Sequence, residues 1–269
     1  MHSMIHPTAI IHPRAQIGEG TSVGPGVIID EHVEIGPQCE IRARAVLTGH
    51  ARIGARNQIG YGAIIGAEPQ DLSYKGATTS VEIGDDNVIR EYATIHRGTK
   101  EGSVTRVGHH NFFMAGAHVA HNCEVGHHVI LVNNVLLGGY VKVEDRAFIG
   151  GGAVVHQFCR IGQLAIIRGQ TPITMDVPPF FMAVAINTVC GLNRVGLRRN
   201  GYTHPQRKLI QKTYDLLYYS GLNRQQAIEV LQTDAELKAS PGAQAILHFI
   251  QHTKRGFCRA TKAQDVGEE

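Results

Sequence analysis

Every sixth residue through the first two thirds of the chain is an apolar side chain, most often a branched aliphatic. Counted from Ile5, the run Ile11, Ile17, Val23, Ile29, Ile35, Ile41, Leu47, Ile53, Ile59, Ile65 is unbroken, and the same frame resumes at Ile83 and again at Val107. Of the 29 frame positions from 5 to 173, 26 are Ile, Val, Leu or Phe, and only Asp71, Ala77 and Glu101 break the rule. With about half of average positions apolar, chance gives such a series on the order of once in 10⁵ tries. Helices repeat at about 3.6 residues and half-buried strands at about 2, so neither produces this period. One aliphatic per hexad, a frequent Gly after it (Gly18, Gly24, Gly36, Gly54) and a small fifth residue (Ala9, Ala15, Ala45, Ala51) predict short parallel strands sharing one core. The glycines are read as the points where the backbone bends. Three hexads close a triangular turn of about 18 residues, and stacking at roughly 4.8 Å predicts about ten turns and a prism near 45 Å long.

Two stretches leave the frame. Residues 69–82, with Pro69 and Gly76, and residues 100–106 read as excursion loops thrown out from a rigid scaffold, where function tends to sit. After Asp176-Val-Pro-Pro179 the hexads end, and helical spacing takes over around 205–220, 223–238 and 242–254, with Gly221 and Pro241 as breakers. The expected organisation is a β-prism over 1–190 and an α-helical C-terminal domain over 191–269, its last dozen residues a loose tail.

Composition narrows the function classes. The 269 residues are 43% hydrophobic and 18% charged, a profile that excludes a disordered chain, and no window approaches the roughly 20 apolar residues of a membrane span. The N-terminal stretch lacks the basic flank and apolar run of a signal peptide, so a cytoplasmic location is expected. Five cysteines without a Cys-x-x-Cys pair indicate neither a disulfide framework nor a thiolate zinc site, and Cys39, Cys123 and Cys159 fall on the small fifth position of the hexad as packing residues. Residues 191–269 hold 12 Lys and Arg against 7 Asp and Glu, a balance of +5, while residues 1–190 hold 14 against 16, a balance of −2. A basic tail suits a nucleotide diphosphate, an acidic protein or nucleic acid, or is simply a solvated face.

Among 16 histidines, most occupy positions that read as exposed corners. Ala117-His118-Val119-Ala120-His121-Asn122-Cys123 differs, because His118 and His121 fall at one corner region of the prism. One turn later comes Gly139, and near two turns later His156-Gln157. An imidazole that titrates near working pH is a general base, and an unobstructed glycine N–H holds a developing oxyanion, which together are the parts for acyl transfer. No Gly-x-Ser-x-Gly elbow offers a covalent serine route. The rival is a zinc site of the kind found in β-prism hydratases, which space two of their histidines five apart; here the spacing is three, and no metal is expected.

The hexads as a class resemble the left-handed parallel β-helix of hexapeptide-repeat acyltransferases, usually trimeric. Thr94-Ile-His-Arg-Gly-Thr99, His118-Val-Ala-His-Asn-Cys123, Gly151-Gly-Ala-Val-Val-His-Gln-Phe-Cys159, Asp176-Val-Pro-Pro179 and Gly191-Leu-Asn-Arg-Val-Gly-Leu-Arg-Arg-Asn-Gly201 resemble one branch in order and spacing, the acyl-carrier-protein:UDP-N-acetylglucosamine O-acyltransferases of lipid A synthesis. The resemblance implies transfer of a 3-hydroxyacyl chain from the phosphopantetheine of acyl carrier protein to the sugar 3-hydroxyl, with no metal or other cofactor and no nucleic acid. It implies His121 as general base and Gly139 as oxyanion donor. His118 and Gln157 would hold sugar or pantetheine groups and His156 the acyl donor. Gln70 and Asp71 would reach the acceptor across a subunit boundary, while Arg199 and Asn193 would contact the nucleotide. Gly169, late in the prism, leans towards longer acyl chains.

Four positions depart from the family pattern. Asn122 follows the base where an Asp is usual, Tyr140 replaces a His beside the oxyanion glycine, Ser73 replaces a Lys that Lys75 could stand in for, and Val195 replaces a Glu. These keep open an amino-sugar acceptor and N-acylation. A coenzyme A acetyltransferase and a non-catalytic scaffold are the remaining alternatives.

Overall fold

Each inward aliphatic sits on a short strand whose first residue points outward, and strands one coil apart pair in parallel, Ile28 beside Val46 and Ile29 beside Leu47. The computed structural model describes residues 4–261, in which three sheets of nine, eight and eleven strands form the sides of a left-handed parallel β-helix. The apolar frame residues from Val23 to Ile173, all but Asp71, Ala77 and Glu101, line the buried core, each aliphatic gaining about 1.5–3 kcal/mol from leaving water. A buried polar column runs beside them: Asn87 donates to Asn57 Oδ1, Gly84 O and Gly108 O, and its own Oδ1 accepts from Asn111 N–H. Across these coils the corner carbonyls and amides that water cannot reach thereby find partners.

The three outward rows differ in chemistry. The apolar face points Ile28, Val46, Ile64, Leu136 and Val154 outward, with Thr94 and His118 among them. The charged face points Glu34, Arg52, Glu82, Arg106, Glu124 and Lys142 outward, pairing Lys142 with Glu124 at 2.9 Å and Arg106 with Glu82 at 3.1 Å. The third, the cap face, continues beyond the prism into the C-terminal elements.

Apart from Gly66, the glycines after the aliphatics are not the bends. Left-handed backbone lies two residues further on, at Gly20 and Gly26 but also at Gln38, Asn122, Tyr140 and Phe158. At Gly18 and Gly60 the constraint is instead proximity, since a Cβ would stand 2.5 Å from the backbone of the next coil. The excursions are also shifted from the expected 69–82 and 100–106. Ser80–Ile83 and Val104–Val107 are strands, because Val81 buries beside Ala51 and Thr105 beside Val81, so the loops are 68–79 and 97–103.

An antiparallel hairpin, Phe181–Ala185 with Thr188–Leu192, straddles the expected boundary at 190 and extends the cap face. Helices α1 (Arg194–Arg199), α2 (His204–Tyr219), α3 (Arg224–Thr233), α4 (Ala235–Ala239) and α5 (Pro241–Gln251) follow. The single helix expected over 223–238 is two, because extended Asp234 ends α3 and its carboxylate accepts the Glu236 and Leu237 amides to start α4. Phe181 seats the cap, its ring 5.0 Å from that of Tyr214. Arg160 ties the cap to the charged face through Phe249 O at 3.1 Å and the Phe249 ring at 4.0 Å. The expected loose tail is corrected in part: Arg259–Ala260 pairs with the Thr188–Leu192 strand, and Cys258 is buried. Residues 262–269 of that tail lie outside the described residues.

Candidate functional site

Stacking sets His121, Gly139 and Gln157 one above another, because Val119, Leu137 and Val155 pair in register just before them. His121 is 7% exposed, nearly enclosed for a histidine, and its ring lies against the Cα of Gly139, where a Cβ would stand 2.6 Å from Nε2. Only glycine leaves room for that ring. The Gly139 amide is engaged by no carbonyl among the described residues, whereas its own carbonyl accepts from Phe158.

The two nitrogens of His121 meet different partners. Nδ1 is 3.1 Å from Asn122 Oδ1, and Nε2 is 3.7 Å from an Asp71 carboxylate oxygen. Asn122 Oδ1 also accepts from the Thr99 amide at 3.1 Å and the Thr99 hydroxyl at 2.9 Å. A backbone N–H can only donate, so the carboxamide oxygen faces Thr99, and His121 Nδ1 must carry the proton it shares with that oxygen. In the neutral ring Nε2 is then the nitrogen with the lone pair, and it is turned towards Asp71.

Asp71 arrives on the 68–79 loop and lies beside His121 of its own chain. Arg97 is the reason. Its guanidinium, 14% exposed, donates to Gly66 O at 2.8 Å, Tyr74 Oη at 3.1 Å and Glu68 at 3.2 Å, drawing the start and the middle of the loop back onto their own prism. Asp71 accepts from Ser73 N–H at 2.8 Å, and that bond, with the nearby His121, holds its carboxyl below the usual carboxylate range. Arg97 lies inside the Thr94–Thr99 motif, but its partners belong to the loop fold and no spacing announces them.

His118 is half-buried beside His121, its Nδ1 2.7 Å from Thr94 Oγ1. Behind it His96 is 7% exposed, 5.0 Å ring to ring from His118, with an unpartnered Nδ1. Burial first, then the neighbouring His118 and His121, lower the His96 pKa to about 4, and burial lowers His118 in the same direction. The group nevertheless forms no cluster of three or more His, Cys, Asp or Glu able to hold a metal ion, among the described residues.

The other expected residues spread out. His156 is exposed, a coil above Gly138 and not in line with His121, and its Nδ1 donates to the Gln157 carbonyl at 3.1 Å. Gln157 and Gln70 are exposed, as is Arg199 on α1. Asn193, expected to contact the nucleotide, caps α1: it is buried, accepts from Gly196 N–H at 2.7 Å and donates to Leu164 O at 2.8 Å. On the outer side of Asn122 and Tyr140 runs a groove of about 1190 Å³ along the charged face, past Phe158 and Arg160 to Lys254 on the cap.

A family profile described as Udp N-acetylglucosamine O-acyltransferase, Domain 2, matches residues 176–258. The chain is 46% identical over 248 residues to the acyl-[acyl-carrier-protein]–UDP-N-acetylglucosamine O-acyltransferase of Synechocystis sp., covering 92% of this chain and 89% of that protein. It is 43% identical over 263 residues to the enzyme of the same name from Janthinobacterium sp., covering 96% and 100%. Among solved structures, a UDP-N-acetylglucosamine acyltransferase from Bacteroides fragilis superposes with TM-score 0.90 at 41% identity, covering 95% of this chain and 100% of that one. One from Francisella novicida gives 0.91 at 36% identity, covering 98% and 97%.

Proposed function

The chain belongs to the acyl-[acyl-carrier-protein]–UDP-N-acetylglucosamine O-acyltransferases of lipid A biosynthesis, and we propose that His121 performs its acyl transfer as a metal-free general base. The reaction moves a 3-hydroxyacyl chain from the thioester of acyl carrier protein to the 3-hydroxyl of UDP-N-acetylglucosamine. The observation that carries the proposal is the contact of His121 Nδ1 with an Asn122 Oδ1 that also accepts from the Thr99 amide, which assigns the Nδ1–H tautomer to the neutral ring and leaves Nε2 to take the hydroxyl proton.

As the sugar oxygen attacks the thioester carbonyl, Nε2 becomes protonated, and the Asp71 carboxylate beside it offsets the new charge. Asn122, neutral, cannot. The negative charge on the carbonyl oxygen is met by the Gly139 N–H. Collapse expels the thiolate of phosphopantetheine, and the imidazolium returns its proton to that sulfur. His118 and Gln157 orient the sugar and pantetheine, His156 contacts the donor, Gln70 flanks Asp71, and Arg199 pairs with the diphosphate.

The protein works as a homotrimer in this proposal, since Leu136 and Val154 on the apolar face are 44% and 43% exposed and Phe148 on the cap face is 38% exposed, a surface that neighbouring prisms would cover. The exposed Arg198, Arg199, Lys208 and Lys254 suit an acidic carrier protein. No described helix is long and apolar enough to cross a membrane, and the proposed compartment is the cytoplasm. The test presents a panel of 3-hydroxyacyl carrier proteins with UDP-N-acetylglucosamine and its 3-amino analogue. O-acylated product in preference to amide supports the reading, and exclusive N-acylation overturns it.

A further inference from the structure

We propose that Tyr140 and Thr99 are positioning residues, which choose the tautomer of His121 by deciding which end of the Asn122 carboxamide faces it. The inference rests on His121 acting as the base. A carboxylate after the base presents an acceptor whichever way it turns. A carboxamide does not: flipped, Asn122 would turn its NH₂ towards Nδ1, stabilise the Nε2–H tautomer and leave no lone pair facing the acceptor. Something must therefore select the amide end, and the structure supplies it from two other coils.

The Thr99 amide and hydroxyl both point at Asn122 Oδ1. Since that oxygen can only accept, the Thr99 hydroxyl donates to it, and the bond between Thr99 Oγ1 and Tyr140 Oη at 3.0 Å must then run from Tyr140 to Thr99. The directions are forced along the whole chain: Tyr140 to Thr99, Thr99 to Asn122, His121 to Asn122. Tyr140 is itself held, stacked on Phe158 with centroids 4.9 Å apart and edge-on to His121 at 5.4 Å. Asn122 is fixed at its backbone, where its N–H donates to Thr105 Oγ1 at 2.7 Å. Two departures from the family pattern, Asn122 and Tyr140, thus belong to one hydrogen-bonded unit.

The experiment records ¹⁵N spectra of the His121 ring and steady-state kinetics for Thr99→Val, Thr99→Ser and Tyr140→Phe, each also in an Asn122→Asp background. Thr99→Val is expected to populate the Nε2–H tautomer and lower kcat about 10-fold with KM little changed. Tyr140→Phe gives a smaller loss in the same direction, and Thr99→Ser restores the wild-type spectrum. In the Asn122→Asp background Thr99→Val loses its effect, because a carboxylate has no wrong end; a merely structural role for Thr99 would persist there. An unchanged tautomer in both Thr99→Val and Tyr140→Phe overturns the proposal, as does an equal loss with and without Asn122→Asp. Full activity of His121→Ala would instead overturn the base assignment on which it rests.

Discussion

The imidazole of His121 occupies the space that a side chain on Gly139 would need, with Nε2 2.6 Å from the position of a Cβ. The glycine therefore does two things at once. It exposes its amide, and it admits the base to a position directly beside that amide. Gly139→Ala should move the ring by about an ångström and lower kcat on the order of 100-fold, read from initial rates at saturating sugar. Activity within a few-fold of wild type would show that the ring does not need this seat.

Arg97 should govern the loop that carries Asp71. Arg97→Lys keeps the charge but cannot span Gly66 O, Glu68 and Tyr74 together. The expected result is faster amide exchange over residues 68–79 and an acceptor KM raised about 10-fold, with exchange in the prism unchanged. A loop as protected as in wild type would contradict the anchoring role.

Acid should weaken the fold through His96. Unfolded, this histidine gains a proton below about pH 6.5; folded, it resists until about 4. Between those values the unfolded chain binds the extra proton, so stability falls as pH falls, by about 3 kcal/mol at the lower end, with no contribution above the unfolded value. Burial pushes His118 the same way and adds to the trend. Urea unfolding at neutral pH and near pH 4.5 should show a smaller difference in His96→Gln than in wild type. An identical difference would mean that His96 is not held neutral.

The polar column should be costly to break. Asn87→Ala strands Asn111 N–H and Gly108 O away from water, while Asn57 Oδ1 keeps the residue 87 N–H and Gly84 O keeps Asn57 Nδ2. A loss of about 4 kcal/mol is expected by chemical denaturation. A loss below about 1 kcal/mol would mean that the column admits solvent.

The prism was legible because its inward residue recurs every six positions whatever surrounds it. The same reading misjudged Gly18 and Gly60, since close approach between coils and a bend in the chain leave the same residue in a sequence. Arg259–Ala260 gave no signal, as so short a strand has no period of its own and exists only because the hairpin edge is open to it. At the site, His118, His121 and Gly139 follow from coil arithmetic, and their roles in catalysis remain the proposal made above. The replacement of an acid by Asn122 was visible, but its partners were not: Thr99 comes from an excursion loop and Tyr140 from the next coil, and only the folded chain brings their hydroxyls within 3.0 Å. Asp71 was identified as a site residue, but Arg97's hold on its loop was not, because it depends on three backbone and side-chain positions that no motif encodes.

The general-base claim is tested most directly by acyl transfer from 3-hydroxyacyl carrier protein to UDP-N-acetylglucosamine in excess chelator, for wild type and His121→Ala. The account predicts wild-type turnover indifferent to chelator and a loss of about 10²–10⁴-fold in the variant, with its melting temperature close to that of wild type. Turnover that survives His121→Ala, or wild-type turnover abolished by chelator, would contradict it.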